Sequence, residues 1–144
     1  MSDILRIVLL GQPRGKERVK PSYTTGHVYT PERTVTYEGR LAYAAQEAMA
    51  GRPLFEGPLV LDMLVQVQIP QSWSRKKRVA AMSGEIRPTK KPDFDNYAKT
   101  VDALNLIVWI DDAQIVDGRV RKVYSEQPGM FIEVRPIWTE GFFG

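Results

Sequence analysis

At 144 residues, the chain is sized for one domain and can bury about 68–70% of the surface its unfolded form exposes. Its 43% hydrophobic and 10% aromatic content excludes a disordered chain, and no apolar run reaches the ~20 residues that a bilayer span needs. The absence of cysteine excludes disulfides, thiolate nucleophiles and cysteine-ligated zinc, while 20 bases against 17 acids leave a net charge of only +3.

The opening MSDILRIVLLGQ sets Asp3 and Arg6 around a short apolar run without a small-residue cleavage site, so no signal peptide is expected and a cytoplasmic protein is. Ile4 to Leu10 reads as a buried strand ending at Gly11. From Gln12 to Pro31 the chain mixes Pro, Gly, Thr and bases with Tyr23 and Tyr29, which predicts a long loop or irregular hairpin suited to phosphate contact and base stacking. Within it, Gly11 to Lys16 is not a phosphate-binding loop: three residues separate the glycines instead of four, and Glu17 stands where Ser or Thr would hold Mg²⁺. The lone histidine, His27, reads as a surface or DNA-contact residue, since no multi-histidine metal site can form and no Ser-His-Asp signature surrounds it.

Thr34 to Met49 predicts an amphipathic helix with Tyr37, Leu41, Ala44, Ala45 and Ala48 on one face and Gly51 as its stop. Leu59 to Ile69 predicts a strand with one wet face from Met63 onward. Ser72 is the expected cap of a short basic helix from Arg75 to Met82 that ends at Gly84. Asp93 is a candidate N-cap for the next helix, its carboxylate able to accept from the free amides of the first turn. Phe94, Tyr97, Ala98, Val101, Leu104 and Ile107 form that helix's apolar face, and Asp95, Lys99 and Asp102 fall within about 60° of one another on the other face. Val108 to Ile110 reads as a strand or its approach. Ile115 to Val123 and Gly129 to Ile137 read as two strands, paired antiparallel across a turn at Gln127-Pro128-Gly129. The tail from Gly141 to Gly144 is expected to fray. The order β, α, β, α, α, β, β predicts a single α+β domain over residues 1–144, with helices packed on a mixed sheet.

The distribution of charge says more than its sum. Asp93, Asp95, Asp102, Asp111 and Asp112 lie within twenty residues of one another. Each alone is explained by capping or by a surface ion pair, but folding gives no reason to gather like charges. A hard divalent cation does, because Mg²⁺ takes oxygen ligands. Around this acidic centre the chain is basic. Trp73 to Lys91 carries Arg75, Lys76, Lys77, Arg78, Arg87, Lys90 and Lys91 against Glu85 alone, and Gly11 to Arg40 includes Arg14, Lys16, Arg18 and Lys20. Acidic centre and basic flanks suit a metal-dependent enzyme acting on a polyanion. No EF-hand fits, since Tyr97 and Ala98 stand where that loop needs an acid or amide and then glycine. An oxygen-only Mg²⁺ or Mn²⁺ site beside a lysine suits phosphodiester hydrolysis, the ion activating water and polarising a phosphate oxygen.

The run KPDFDNYAKTVDALN, followed after a short gap by WIDDAQIVDGRVRK, resembles the signature of the RusA-type Holliday-junction resolvases. That pattern opens with Asp-x-Asp-Asn, places lysine four residues after the second Asp, and continues through Asp-Ala-Leu and Asp-Asp-x-Gln to a lysine in the next strand. The Gly-x-Pro-x-x-Lys-x-Arg stretch from Gly11 and the Tyr-Thr-Pro at Tyr29 extend the likeness. Many relatives carry glycine after the Asn that corresponds to Asn105, where this chain has Leu106. The resemblance implies an intertwined homodimer that makes paired symmetric nicks in four-way DNA junctions in recombination and repair. It implies Asp93, Asp95 and Asp112 as catalytic metal ligands, Asp111 as a supporting acid, Lys99 as the essential lysine and Mg²⁺ as cofactor, with Mn²⁺ able to substitute. Arg14, Lys16, Arg18, Lys20, Arg75, Lys76, Lys77, Arg78 and Lys91 are the expected DNA contacts. A nuclease preferring flaps or forks, and a non-catalytic DNA-binding protein, are the competing readings.

Overall fold

The computed structural model describes residues 3–16, 20–21, 28–29 and 32–137. Its centre is β4 (Leu59–Gln68), and the chain supplies the reason. Leu59, Val60 and Leu61 are all buried and Met63 and Val65 follow on alternate positions, so neither side of this strand can stand at an edge. β6 (Gly129–Pro136) lies antiparallel on one side of β4 and β5 (Ile115–Ser125) parallel on the other, while β1 (Leu5–Leu10) pairs with β6. The sheet order is β1-β6-β4-β5. The expected α+β architecture with a mixed sheet is therefore present.

The expected pairing of the last two strands is not. β4 lies between them, and residues 126–128 carry the chain over its end. Two strand spacings amount to about 9–10 Å, within reach of such a link. Burial decides the order: Val116, Asp117, Gly118 and Arg119 are exposed, so β5 tolerates the edge that β4 cannot occupy.

Helix α1 (Glu32–Met49) buries Tyr37, Leu41, Ala45 and Met49, a stripe at steps of four, on the sheet face that carries Leu5, Ile7 and Leu9. It begins two residues before the predicted Thr34. Two short strands, β2 (Lys20–Pro21) and β3 (Val28–Tyr29), form a separate antiparallel ladder, matching the irregular hairpin expected before α1. Tyr23 and His27 lie outside the described residues, as does the tail from Gly141.

The parallel connection from β4 to β5 holds everything else. Helix α2 (Arg75–Met82) is capped by Ser74, whose Oγ accepts from the Lys77 amide at 3.2 Å, and not by the predicted Ser72. The amide of Trp73 is still bonded to the Pro70 carbonyl, so the chain is turning until Ser74. Helix α3 is short, Phe94–Ala98, and tightens into a 3₁₀ turn over Lys99–Leu104. Tyr97, Val101 and Leu104 are buried as expected, but Phe94 is 65% exposed. Val108 and Trp109 are buried without forming a strand; Trp109 makes only isolated bridges to Phe55 and Asn105. Leu106 takes φ +67°, a left-handed conformation that costs a residue with a Cβ about 1–2 kcal/mol. The turn thus keeps a shape that suits glycine.

Candidate active site

Asp93 and Asp95 occupy the first turn of α3, and both are exposed. Asp93 stands at the N-cap with extended backbone, yet its carboxylate makes no capping bond, contrary to the sequence expectation. That leaves its oxygens available to a ligand. Asp95 Oδ2 lies 3.6 Å from Lys99 Nζ, as the i,i+4 spacing requires. Asp102 does not join them. Three steps at about 120° instead of 100° turn it by roughly 60° from its α-helical position. It accepts instead from Lys16, at 3.3 Å.

The second acidic pair sits on a turn built by its neighbours. Asp111 caps a 3₁₀ turn over Asp112–Gln114, with its Oδ1 accepting from the Ala113 amide at 3.0 Å. Gln114 returns the bond: its Oε1 accepts from the Ile110 and Asp111 amides at 3.0 and 3.2 Å, and its Nε2 donates to the Phe55 and Gly57 carbonyls at 3.0 and 3.1 Å. Asn105 Oδ1 accepts from Trp109 Nε1 at 2.7 Å and from the Asp112 amide at 2.9 Å, tying the end of the first acidic segment to the second. Asp111, Gln114 and Asn105 of the sequence pattern therefore act here as positioning groups. Asp-x-x-Gln is itself a capping-box spacing, a signal that could have identified Gln114.

Residues 14–16 staple α1 to the acidic segment. The Lys16 amide donates to the Asn96 carbonyl at 2.8 Å. A Cβ on Gly15 would meet Pro92 Cβ at 2.8 Å and Asn96 Cβ at 3.1 Å, so only glycine allows this approach. Lys16 Nζ lies 2.8 Å from Glu38 Oε1 of α1, at an angle that forms no aligned hydrogen bond, and also reaches Asp102. Burial works against the charge on Lys16, but Glu38 and Asp102 outweigh it and raise its pKa above the ordinary lysine value. Burial likewise pushes the Tyr37 hydroxyl up to about 12, against a hydrogen bond to the backbone of Arg14. From β5, Lys122 Nζ donates to the Lys90 and Pro92 carbonyls at 2.8 and 2.9 Å and lies over the Tyr97 ring. It clamps the loop that leads into Asp93.

Burial, then the carboxylates of Asp111 and Asp102, push Asp112 above the usual carboxylate range, while the Ala113 amide first, and then Asp112, hold Asp111 below it. Crowding of this kind is relieved by a cation. Among the described residues, however, no three acids converge closely enough to hold an ion between them. The donors are hard oxygens, as Mg²⁺ requires, grouped on two turns instead of in one cage. Mg²⁺ accepts such an arrangement, because it usually takes one or two carboxylates and completes its shell with water and substrate phosphate.

Of the expected DNA contacts, Arg14, Arg75, Lys76, Lys77 and Lys91 are exposed. Arg78 is engaged internally with the Pro70 carbonyl at 3.0 Å and Glu126 at 3.4 Å, and Lys16 with Glu38 and Asp102. Arg18 and the side chain of Lys20 lie outside the described residues.

The model of the endodeoxyribonuclease RusA family matches residues 11–135, a span that includes both acidic turns and the staple. The chain is also similar to the uncharacterised protein YqaN of Bacillus subtilis strain 168, with 36% identity over 142 residues, covering 94% of this chain and 98% of that protein.

Proposed function

The chain belongs to the RusA endodeoxyribonuclease family, and on that premise we propose that it is a Mg²⁺-dependent, structure-selective endodeoxyribonuclease of the cytoplasm. Its substrate is the four-way DNA junction, which it resolves as a homodimer by paired symmetric nicks. The observation that carries this reading is the pair of uncapped, exposed carboxylates on the first turn of α3, with Lys99 3.6 Å from one of them. Asp93 and Asp95 on one turn and Asp112 on the other would offer their oxygens to the ion, one or two carboxylates at a time with water and substrate phosphate completing its shell, and Asp111 would support Asp112 through the shared turn. Mg²⁺, or Mn²⁺ in its place, would supply Lewis acidity toward a phosphate and a water at this site. Lys99 offers its charge to the phosphate as negative charge builds on its oxygens. Arg14, Arg75, Lys76 and Lys91 contact backbone phosphates, which position the duplex arms without reading sequence.

The test is a cleavage panel of synthetic four-way junctions, flaps and forks with Mg²⁺, Mn²⁺ or EDTA. Symmetric nicks confined to the metal lanes and strongest on the four-way junction are expected; cleavage that survives EDTA ends the metal assignment. Asp95→Asn is the sharp variant. If Asp95 served only an exposed ion pair, losing it would cost at most about 1 kcal/mol of stability and leave cutting intact. As a ligand, it should take cleavage down by orders of magnitude while folding persists and junction binding holds or tightens. A well-folded Asp95→Asn protein that cuts at the wild-type rate overturns the site.

A further inference from the structure

Beside the acidic helix, between the end of β4 and the loop before α3, lies a cavity of about 430 Å³. It falls within the roughly 300–1,000 Å³ of small-ligand sites. Trp73 and Tyr124 form its aromatic wall, with ring centroids 5.1 Å apart and planes at 68°. Lys77 Nζ sits 4.1 Å from the centre of the Trp73 ring, which fixes the indole and places a charge next to it. Lys90 and Lys91, both exposed, line the cavity, and among the described residues no acid does. Gln12 and Gln68 add side-chain amides; Gln12 Oε1 accepts from the Gln68 backbone N–H at 3.0 Å. Pro92, the residue before Asp93, is part of the wall.

A planar apolar surface, several cations and amide groups match one ligand chemistry: a nucleobase with its flanking phosphates. We propose that this pocket takes a single unpaired nucleotide from the branch point of the DNA. The proposal rests on the reading of the protein as a nuclease for branched DNA, and it adds the feature that such a site would recognise. At a branch a base gives up less pairing and stacking to leave the helix than it does in a continuous duplex. Holding it one residue from Asp93 would set the adjoining backbone beside the carboxylates. Paired DNA offers phosphates to the lysines but no free base to the aromatic wall.

The experiment measures binding in EDTA, where cleavage does not interfere, with the full-length protein. Three probes are compared: a plain duplex, the same duplex with one extra unpaired thymidine, and a four-way junction. Wild-type protein should prefer the bulged duplex to the plain one by about 5- to 150-fold, the range of one base–aromatic stack. Trp73→Ala should abolish that preference and leave plain-duplex affinity as it was, whereas Trp73→Phe should retain most of it. If Trp73→Ala does not fold, Ser72→Trp, which fills the cavity from an exposed lining position, should abolish the preference equally. Equal affinity of wild-type protein for both duplexes, or a preference that survives in folded Trp73→Ala or Ser72→Trp, overturns the pocket. Absence of cutting in the metal-loaded panel would remove the nuclease reading while leaving this binding preference, so the two failures are told apart.

Discussion

Lys16 carries more of this site than its place in a basic run implies. It bridges Glu38 of α1 and Asp102 of the acidic segment, and the buried Glu38 Oε1 has no other partner among the described residues. Lys16→Met should therefore destabilise the protein by about 1–3 kcal/mol at neutral pH, the cost of orphaning a desolvated polar group. Glu38→Gln in the same protein should recover part of that loss. The sign with pH follows from the raised pKa of Lys16. Its stabilisation is complete below the unfolded lysine value of 10.5 and is lost as pH rises through the higher folded value. Urea midpoints measured across this range should fall for the wild-type protein and less for Lys16→Met. Equal midpoints for the two proteins at pH 7 would remove the bridge from the stability of the fold.

At the scale of elements, α2 divides its bases into two kinds. Arg78 spends its guanidinium on Pro70 and Glu126, and Lys77 covers Trp73. Arg75 and Lys76 are exposed and have no partner among the described residues. If α2 meets phosphate, Arg75→Glu with Lys76→Glu should weaken junction binding and reduce the log–log salt slope by roughly 0.9 for each phosphate left unneutralised. Arg78→Ala should instead lower the thermal midpoint. An unchanged slope in the double variant would return this helix to an ordinary solvated face. Spacing alone could not separate these bases, because the segment that Arg78 reaches, Glu126, lies 48 residues away.

Across the whole molecule, the sheet has one face under α1 and another that carries the rows Arg6–Glu133–Asp62–Arg119 and Val8–Phe131–Leu64–Arg121. Val8 is 49% exposed there, beside a cavity of about 350 Å³. A largely apolar row next to a row in which two acids lie between two bases can pack on its own copy across a two-fold axis when the rows are offset so that bases meet acids. A two-fold dimer is also what paired symmetric nicks need. Light scattering should give twice the chain mass, and Val8→Glu should reduce it toward one chain. A monomer at every concentration, with and without junction DNA, would remove paired incision from the proposed function.

By itself, the sequence determined the number and kind of the main elements and the identity of the acidic residues. Apolar spacing of two and of three to four is written along one chain, and so is a gathering of like charges that folding alone does not ask for. It also carried the family pattern, down to Lys122. Strand order was beyond it: the short link at Pro128 suits a hairpin locally, and only competition for burial puts β4 between β5 and β6. The tightening of α3 into a 3₁₀ turn was likewise invisible, and with it the transfer of Asp102 from Asp95 and Lys99 to Lys16. Tertiary structure decided which polar residues serve the fold, turning Lys16, Asn105, Gln114 and Lys122 into clamps on the two acidic turns. Each of those roles depends on partners that long-range packing brings within hydrogen-bonding distance, and no local spacing contains that distance.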